Sequence, residues 1–167
     1  MRKQPYHYKS FFALVFVFQF CLGNVFAQTK TIMQTKTNIN DSWLYLENNT
    51  PNLNDAQKAA GWSNINLPHS WNSEDATDLN PGYRRDASWY QKKLNIAQID
   101  KSQRYFLYFE GSNVTTKVYV NGTEAGGHIG GYIGFTIDVT NYIKPGNNDI
   151  FVRIAVFVWA KMLPRQN

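Results

Sequence analysis

Few residues in this chain could do chemistry, and their spacing narrows the choice further. His69 stands five residues before Glu74, with Asp75 and Asp78 close behind. This is the best set for acid–base work or for a hard cation, but the spacing fits no defined metal motif. Its plainer reading is a solvated acidic loop. His128 lies between Gly127 and Ile129 in a glycine-rich run, where it could donate to a hydroxyl or lock the corner. The four glutamates, Glu47, Glu74, Glu110 and Glu124, fall on strand ends or loops and form no evident pair. No G-x-S-x-G, phosphate-binding glycine loop or H-E-x-x-H helix is present. A final set joins aromatic faces to planar polar groups. Trp71, Tyr83 and Trp89 flank a polar stretch that also holds Arg84, Arg85 and Asp86.

These residues need a scaffold, and the pattern around them is that of sheet. Tyr105 to Phe109 is short and aromatic, as expected of a buried strand. Thr115 to Val120 alternates, with Val118 and Val120 on one face and Lys117 and Tyr119 on the other. Asn121-Gly122 follows at once. Both tolerate positive φ, so the pair predicts a type I′ hairpin turn into a return strand, Thr123 to Ala125. Phe135 to Val139 alternates again, and Tyr132 and Phe135 read as packing around the glycine turns. Further strands are expected at Trp43 to Glu47, Ser88 to Ile96 and Asp149 to Ile154. The one helix expected is short, Ala56 to Ala60, capped by Asp55 and ended by Gly61. Pro68 must lie at a strand end, because it cannot donate to a ladder. Asn72 to Asp86 reads as a long polar loop.

The 167 residues suffice for one domain, but the first 27 read as something else. Arg2, Lys3 and Lys9 form a basic start, Phe11 to Leu22 is apolar but short for a membrane span, and Val25-Phe26-Ala27 suits cleavage before Gln28. This predicts a signal peptide over 1–27, a linker over 28–40, and export to the periplasm or beyond, with no membrane association after cleavage. The segment holds three basic residues and no acidic one, so the net charge of +5 falls to +2 without it. That near-neutral balance gives no ground for a nucleic-acid partner. The single cysteine, Cys21, lies in the same segment, which leaves no disulfide and no thiolate chemistry downstream. The five Trp, eight Tyr and five Phe beyond residue 27 supply a core instead. No cofactor and no metal are expected.

Several motifs in order carry a resemblance. They are Val118-Tyr119-Val120-Asn121-Gly122, then Gly127-His128-Ile129-Gly130-Gly131-Tyr132, Phe135, and Asp138-Val139-Thr140-Asn141-Tyr142-Ile143. Upstream stand Trp62 to Trp71, as W-x-x-I-x-L-P-H-x-W, and the Ser88 to Ile96 strand. Together they resemble the N-terminal sugar-binding domain of glycoside hydrolase family 2, the β-galactosidase and β-glucuronidase family. Ala87 and Gln91 depart from the glycine and arginine common there. The resemblance implies an all-β, galactose-binding-like jelly-roll sandwich over 41–154. It also implies a carbohydrate ligand and, in a full-length enzyme, a catalytic barrel as partner. Such barrels carry two glutamates for a retaining mechanism. This chain has neither the barrel nor a matching glutamate, so no catalytic residue is carried over and the chain alone is expected to be inactive. On that reading Trp71, Tyr83, Arg84, Trp89 and His128 are the candidate carbohydrate-binding residues, although core or interdomain packing is the plainer reading of Trp71 and Trp89. After Ile154 the family's V-D-N-S continuation, with its substrate-facing Asn, is replaced by Ala155 to Asn167. The expectation is a truncated or frame-shifted tail over 155–167, and so a sandwich incomplete at its C-terminal end. A divergent last strand, Ala155 to Trp159, is the other reading, and a stand-alone carbohydrate-binding module is the other function.

Overall fold

The computed structural model describes residues 34–70 and 86–155. The chain divides into two units, Met1–Asn38 and Ile39–Asn167. Of the first, residues 34–38 are described and carry no regular structure. All the strands below belong to the second. In chain order they are β1 (Trp43–Leu46), helix α1 (Leu53–Lys58), β2 (Ser63–Ile65), β3 (Ser88–Ile96), β4 (Phe106–Phe109), β5 (Thr115–Val120), β6 (Thr123–Ile129), β7 (Phe135–Asp138) and β8 (Gly146–Ala155). Six strands form one sheet in the order β2-β1-β3-β8-β5-β6, and β4 pairs with β7 in a second sheet. Every pairing is antiparallel. The longest ladder runs from Ser88 opposite Ile154 to Ile96 opposite Gly146.

Alternation along the strands explains why the large sheet is buried on both faces. Trp43, Tyr90, Val118, Val120, Ile150 and Val152 point inward and meet Leu107, Phe135 and Ile137 of the small sheet. Residues of opposite parity, Leu46, Trp89 and Phe151, point the other way and are covered by Ala56 of α1. A strand whose neighbours differ by one residue must present opposite faces, so Trp89 and Tyr90 feed two separate cores.

The strands at Trp43, Ser88, Thr115, Phe135 and near Asp149 lie where the alternation places them. The turn at Asn121-Gly122 has φ of 52° and 87°, as a type I′ hairpin requires. Three expectations need correction. Tyr105 to Phe109 is buried on one face only: Leu107 is in the core, while Phe106 and Tyr108 are about half exposed, because β4 belongs to a two-stranded outer layer. The helix begins at Leu53 rather than Ala56, and Asp55 lies inside its first turn. The Asp55 carboxylate accepts from Asn52 Nδ2 at 3.2 Å and from Thr50 Oγ1 at 3.4 Å, which ties the preceding loop to the helix instead of capping it. The return strand continues through Gly126 and Gly127 to Ile129, with a bulge opposite Val118 and Tyr119.

Gly127 lets that strand pass close to its partner. A Cβ there would lie 2.6 Å from the backbone oxygen of Thr116. Gly127→Ala is therefore expected to cost about 1–3 kcal/mol through backbone displacement, read as a lower urea midpoint of the 167-residue chain. An unchanged midpoint would show that β6 can move aside freely.

The Asp138-Val139-Thr140 run also has a physical reason. Asp138 Oδ1 accepts from the Thr140 amide at 3.0 Å and from its hydroxyl at 2.6 Å, and Thr140 Oγ1 accepts from the Tyr105 amide at 2.9 Å. Arg104 pairs with the other carboxylate oxygen and lies over the Phe106 ring. The Thr140 bonds, then Arg104, hold the Asp138 carboxyl down at about 2. The end of β7 is thus locked to the start of β4.

Candidate functional site

The glycine-rich segment after β6 carries the most exposed apolar surface among the described residues. β6 ends at Ile129, and Gly130 turns with φ 142°, its amide donating to the Val114 carbonyl at 2.7 Å. Tyr132 follows at φ 65°, a conformation that a bulky residue rarely adopts. Its side chain is 94% exposed, beside Ile129 at 74% and Ile133 at 57%. Gly134 lies against Tyr108, whose hydroxyl would be 2.9 Å from a Cβ at that position. The loop therefore holds its apolar side chains out to solvent on a backbone with little room for larger residues.

His128 forms the floor of this segment. Its ring stacks on Phe135 at 4.2 Å and 12°, and Phe135 stacks on Phe109 at 4.8 Å and 9°. This does the locking expected of a corner histidine. Nε2 is buried and has no hydrogen-bond partner. A Cβ at Gly130 would sit 3.1 Å from it. The histidine packs with its ring and keeps one nitrogen unspent, so both readings open in the sequence remain compatible with its geometry.

Trp89 is fully buried beneath α1. Its indole N–H donates to the Thr50 carbonyl at 3.0 Å, and its ring tilts against Tyr119 at 5.8 Å. A ring with no exposed face has none to offer a pyranose, so this placement favours the packing alternative. Trp71, Tyr83 and Arg84 fall in 71–85, outside the described residues, as do Arg85, Glu74, Asp75 and Asp78.

His69 stands just before that segment. Its Nδ1 and the Tyr90 hydroxyl are hydrogen-bonded at 3.1 Å, and its ring lies 4.6 Å from that of Tyr45. Tyr45 in turn meets Ser88 Oγ at 3.2 Å. Burial pushes the His69 pKa below the usual imidazole value, which favours the neutral ring. In the described structure His69 therefore anchors the chain on β1 and β3.

Sequence reasoning placed Phe135 correctly in packing, at 9% exposed, but Tyr132 is the opposite of a packing residue. The glycines on either side of Tyr132-Ile133 were the available signal, because a side chain on a narrow glycine bridge has few neighbours to pack against. Chemically, the assembled surface offers aromatic edges and aliphatic contact, with His128 Nε2 buried beneath it. It suits contact with a ligand or a partner surface rather than bond cleavage. Glu124, the glutamate nearest in sequence, is paired with Lys117 at 3.3 Å.

Comparison with known proteins agrees with the fold and its motifs. Residues 31–164 match the family described as glycosyl hydrolases family 2, sugar binding domain. A Formosa agariphila protein, by name a candidate β-glucuronidase, is 57% identical over 133 residues, covering 80% of this chain and 16% of that protein. A β-galactosidase of Thermoanaerobacter pseudethanolicus is 34% identical over 123 residues, covering 71% of this chain and again 16% of the relative. Among solved structures, the Bacteroides uniformis β-glucuronidase superposes with a TM-score of 0.64 at 28% identity, covering 80% of this chain and 16% of that one. The chain thus spans about a sixth of the length of the curated relatives it matches. It belongs to glycosyl hydrolases family 2, as the N-terminal sugar-binding domain of that family.

Proposed function

We propose that this chain is the substrate-side sandwich of an exported hydrolase of β-glucuronides, with β-galactosides as the second substrate class. The observation that carries the reading is the 57% identity to the Formosa agariphila protein across the domain. Cleavage itself would fall to a catalytic barrel, since two carboxyl groups facing one glycosidic bond are needed and the described residues offer no such pair. On this proposal residues 1–27 direct export, 28–40 link, and 41–154 form the sandwich. Trp71, Tyr83, Arg84 and His128 approach the carbohydrate, while Trp89 supports them from the core.

The test is a domain exchange. Residues 41–154 would replace the matching segment of the 57%-identical relative. The chimera is expected to hydrolyse an aryl-β-glucuronide within about tenfold of the parent rate, or about 1.4 kcal/mol of barrier. A folded chimera without that activity would overturn the reading. The 167-residue chain alone is expected to turn over neither aryl glycoside. Glycan affinity of that chain alone, joined with an inactive chimera, would favour a stand-alone binding module.

A further inference from the structure

Asn121-Gly122 is the single Asn-Gly pair in the chain. It forms the corner between β5 and β6, and its glycine is exposed. Asn-Gly carries an intrinsic chemical liability. Glycine has no side chain to shield its amide nitrogen, so that nitrogen, once deprotonated, can attack Cγ of the asparagine. An N–C bond forms, the C–Nδ2 bond breaks, and ammonia leaves with a proton from water. The resulting succinimide is opened by water at either carbonyl, giving aspartate or isoaspartate. The net change is one water consumed and one ammonia released.

The fold holds this asparagine away from that path. Asn121 Nδ2 donates to the Tyr142 carbonyl at 2.8 Å and to Asn148 Oδ1 at 2.8 Å, while Oδ1 accepts from the Asp149 amide at 3.1 Å. The backbone amide of Asn121 donates to the Asp149 carbonyl at 2.8 Å. Cyclisation must swing Cγ onto the Gly122 nitrogen and expel Nδ2, so the side-chain bonds must break first. Asn148 cannot rescue the product by turning its amide over. Its Nδ2 already donates to the Lys144 and Gly146 carbonyls at 2.7 and 3.0 Å, and its Oδ1 accepts from the Lys144 amide at 2.8 Å. A carboxylate at position 121 would face two oxygen acceptors with no hydrogen to offer either.

We propose that Asn121 is a deamidation site gated by the fold: it reacts only when the β5–β6 corner opens, and its product prevents the corner from closing again. The hydrogen bonds that make the corner stable also make its loss irreversible.

The experiment incubates the 167-residue chain at mildly alkaline pH in buffer and in denaturing urea. The peptide containing Asn121 is then followed by mass spectrometry and by enzymatic methylation of isoaspartate. Deamidation in buffer is expected to be at least about tenfold slower than in urea, because a gated reaction follows the population of the open form. Equal rates would overturn the proposal. As a second arm, Asn121→Asp is expected to lower the melting midpoint and raise protease sensitivity at the corner. A midpoint equal to that of the unsubstituted chain would show that the product is tolerated, and would overturn the second half of the proposal.

Discussion

Asn148→Leu is expected to remove roughly 3–5 kcal/mol of stability, although leucine keeps the branched outline of asparagine. Asn148 is fully buried, and its side chain makes four hydrogen bonds: to the amide and carbonyl of Lys144, the carbonyl of Gly146 and, through Oδ1, Asn121. Leucine would take the Asn148 partner from each of those groups at a fully buried side-chain position. Each stranded group costs about 1–3 kcal/mol, and neighbours in one network do not add fully. Such a loss is a large share of the ~5–15 kcal/mol that holds a domain of this size together. Urea unfolding would show it as a lower midpoint with the slope retained. A change within about 0.5 kcal/mol, the range of ordinary surface substitutions, would mean that the network is replaceable.

Trp89→Ala should be comparably severe, at about 3–5 kcal/mol, because it empties the core between α1 and the large sheet. Trp89→Phe separates packing from hydrogen bonding. It keeps most of the apolar contact but removes one of two donors to the Thr50 carbonyl, which still accepts from Arg153 Nε at 3.1 Å. A loss of about 1–2 kcal/mol is expected there. The pair of variants also decides between the two roles read for this tryptophan. A core residue loses stability with no separate effect on glycan affinity. A sugar-stacking residue would lose affinity at unchanged stability, and that result would reverse the assignment made from burial.

The scaffold was legible where a local rule had a local cause. Alternation fixes which face a side chain takes, so Val118 and Val120 against Tyr119, and Ser88 to Ile96 as one strand, could be read directly. Asn121-Gly122 was legible because few residue pairs accept two positive φ values. The exposure of Phe106 and Tyr108 was not legible, since an aromatic strand looks the same whether one face or both are covered. That depends on β4 pairing only with β7, a fact of topology. Nor did local pattern reveal Asn148, whose partners come from the preceding turn and from the β5–β6 corner. In the candidate site, His128 drew attention through its glycine neighbours, whereas Trp89, read as packing before sugar contact, lies in the core. Side chains one residue apart on a strand face opposite cores, so nearness along the chain says little about shared surface.

The strand order has a consequence for how the chain is made. β8, the last strand in sequence among the described residues, sits in the middle of the large sheet, between β3 and β5. A ribosome releases residues from first to last, so β3 and β5 emerge with their shared neighbour still missing. The large sheet cannot close until about residue 155 is free, and its main ladder joins residues 50 to 66 positions apart. Pairings this distant form late, and the waiting segments expose unpaired edges meanwhile. Synthesis order and assembly order are therefore opposed. The large sheet of the nascent domain stays open, and in need of protection, until β8 arrives.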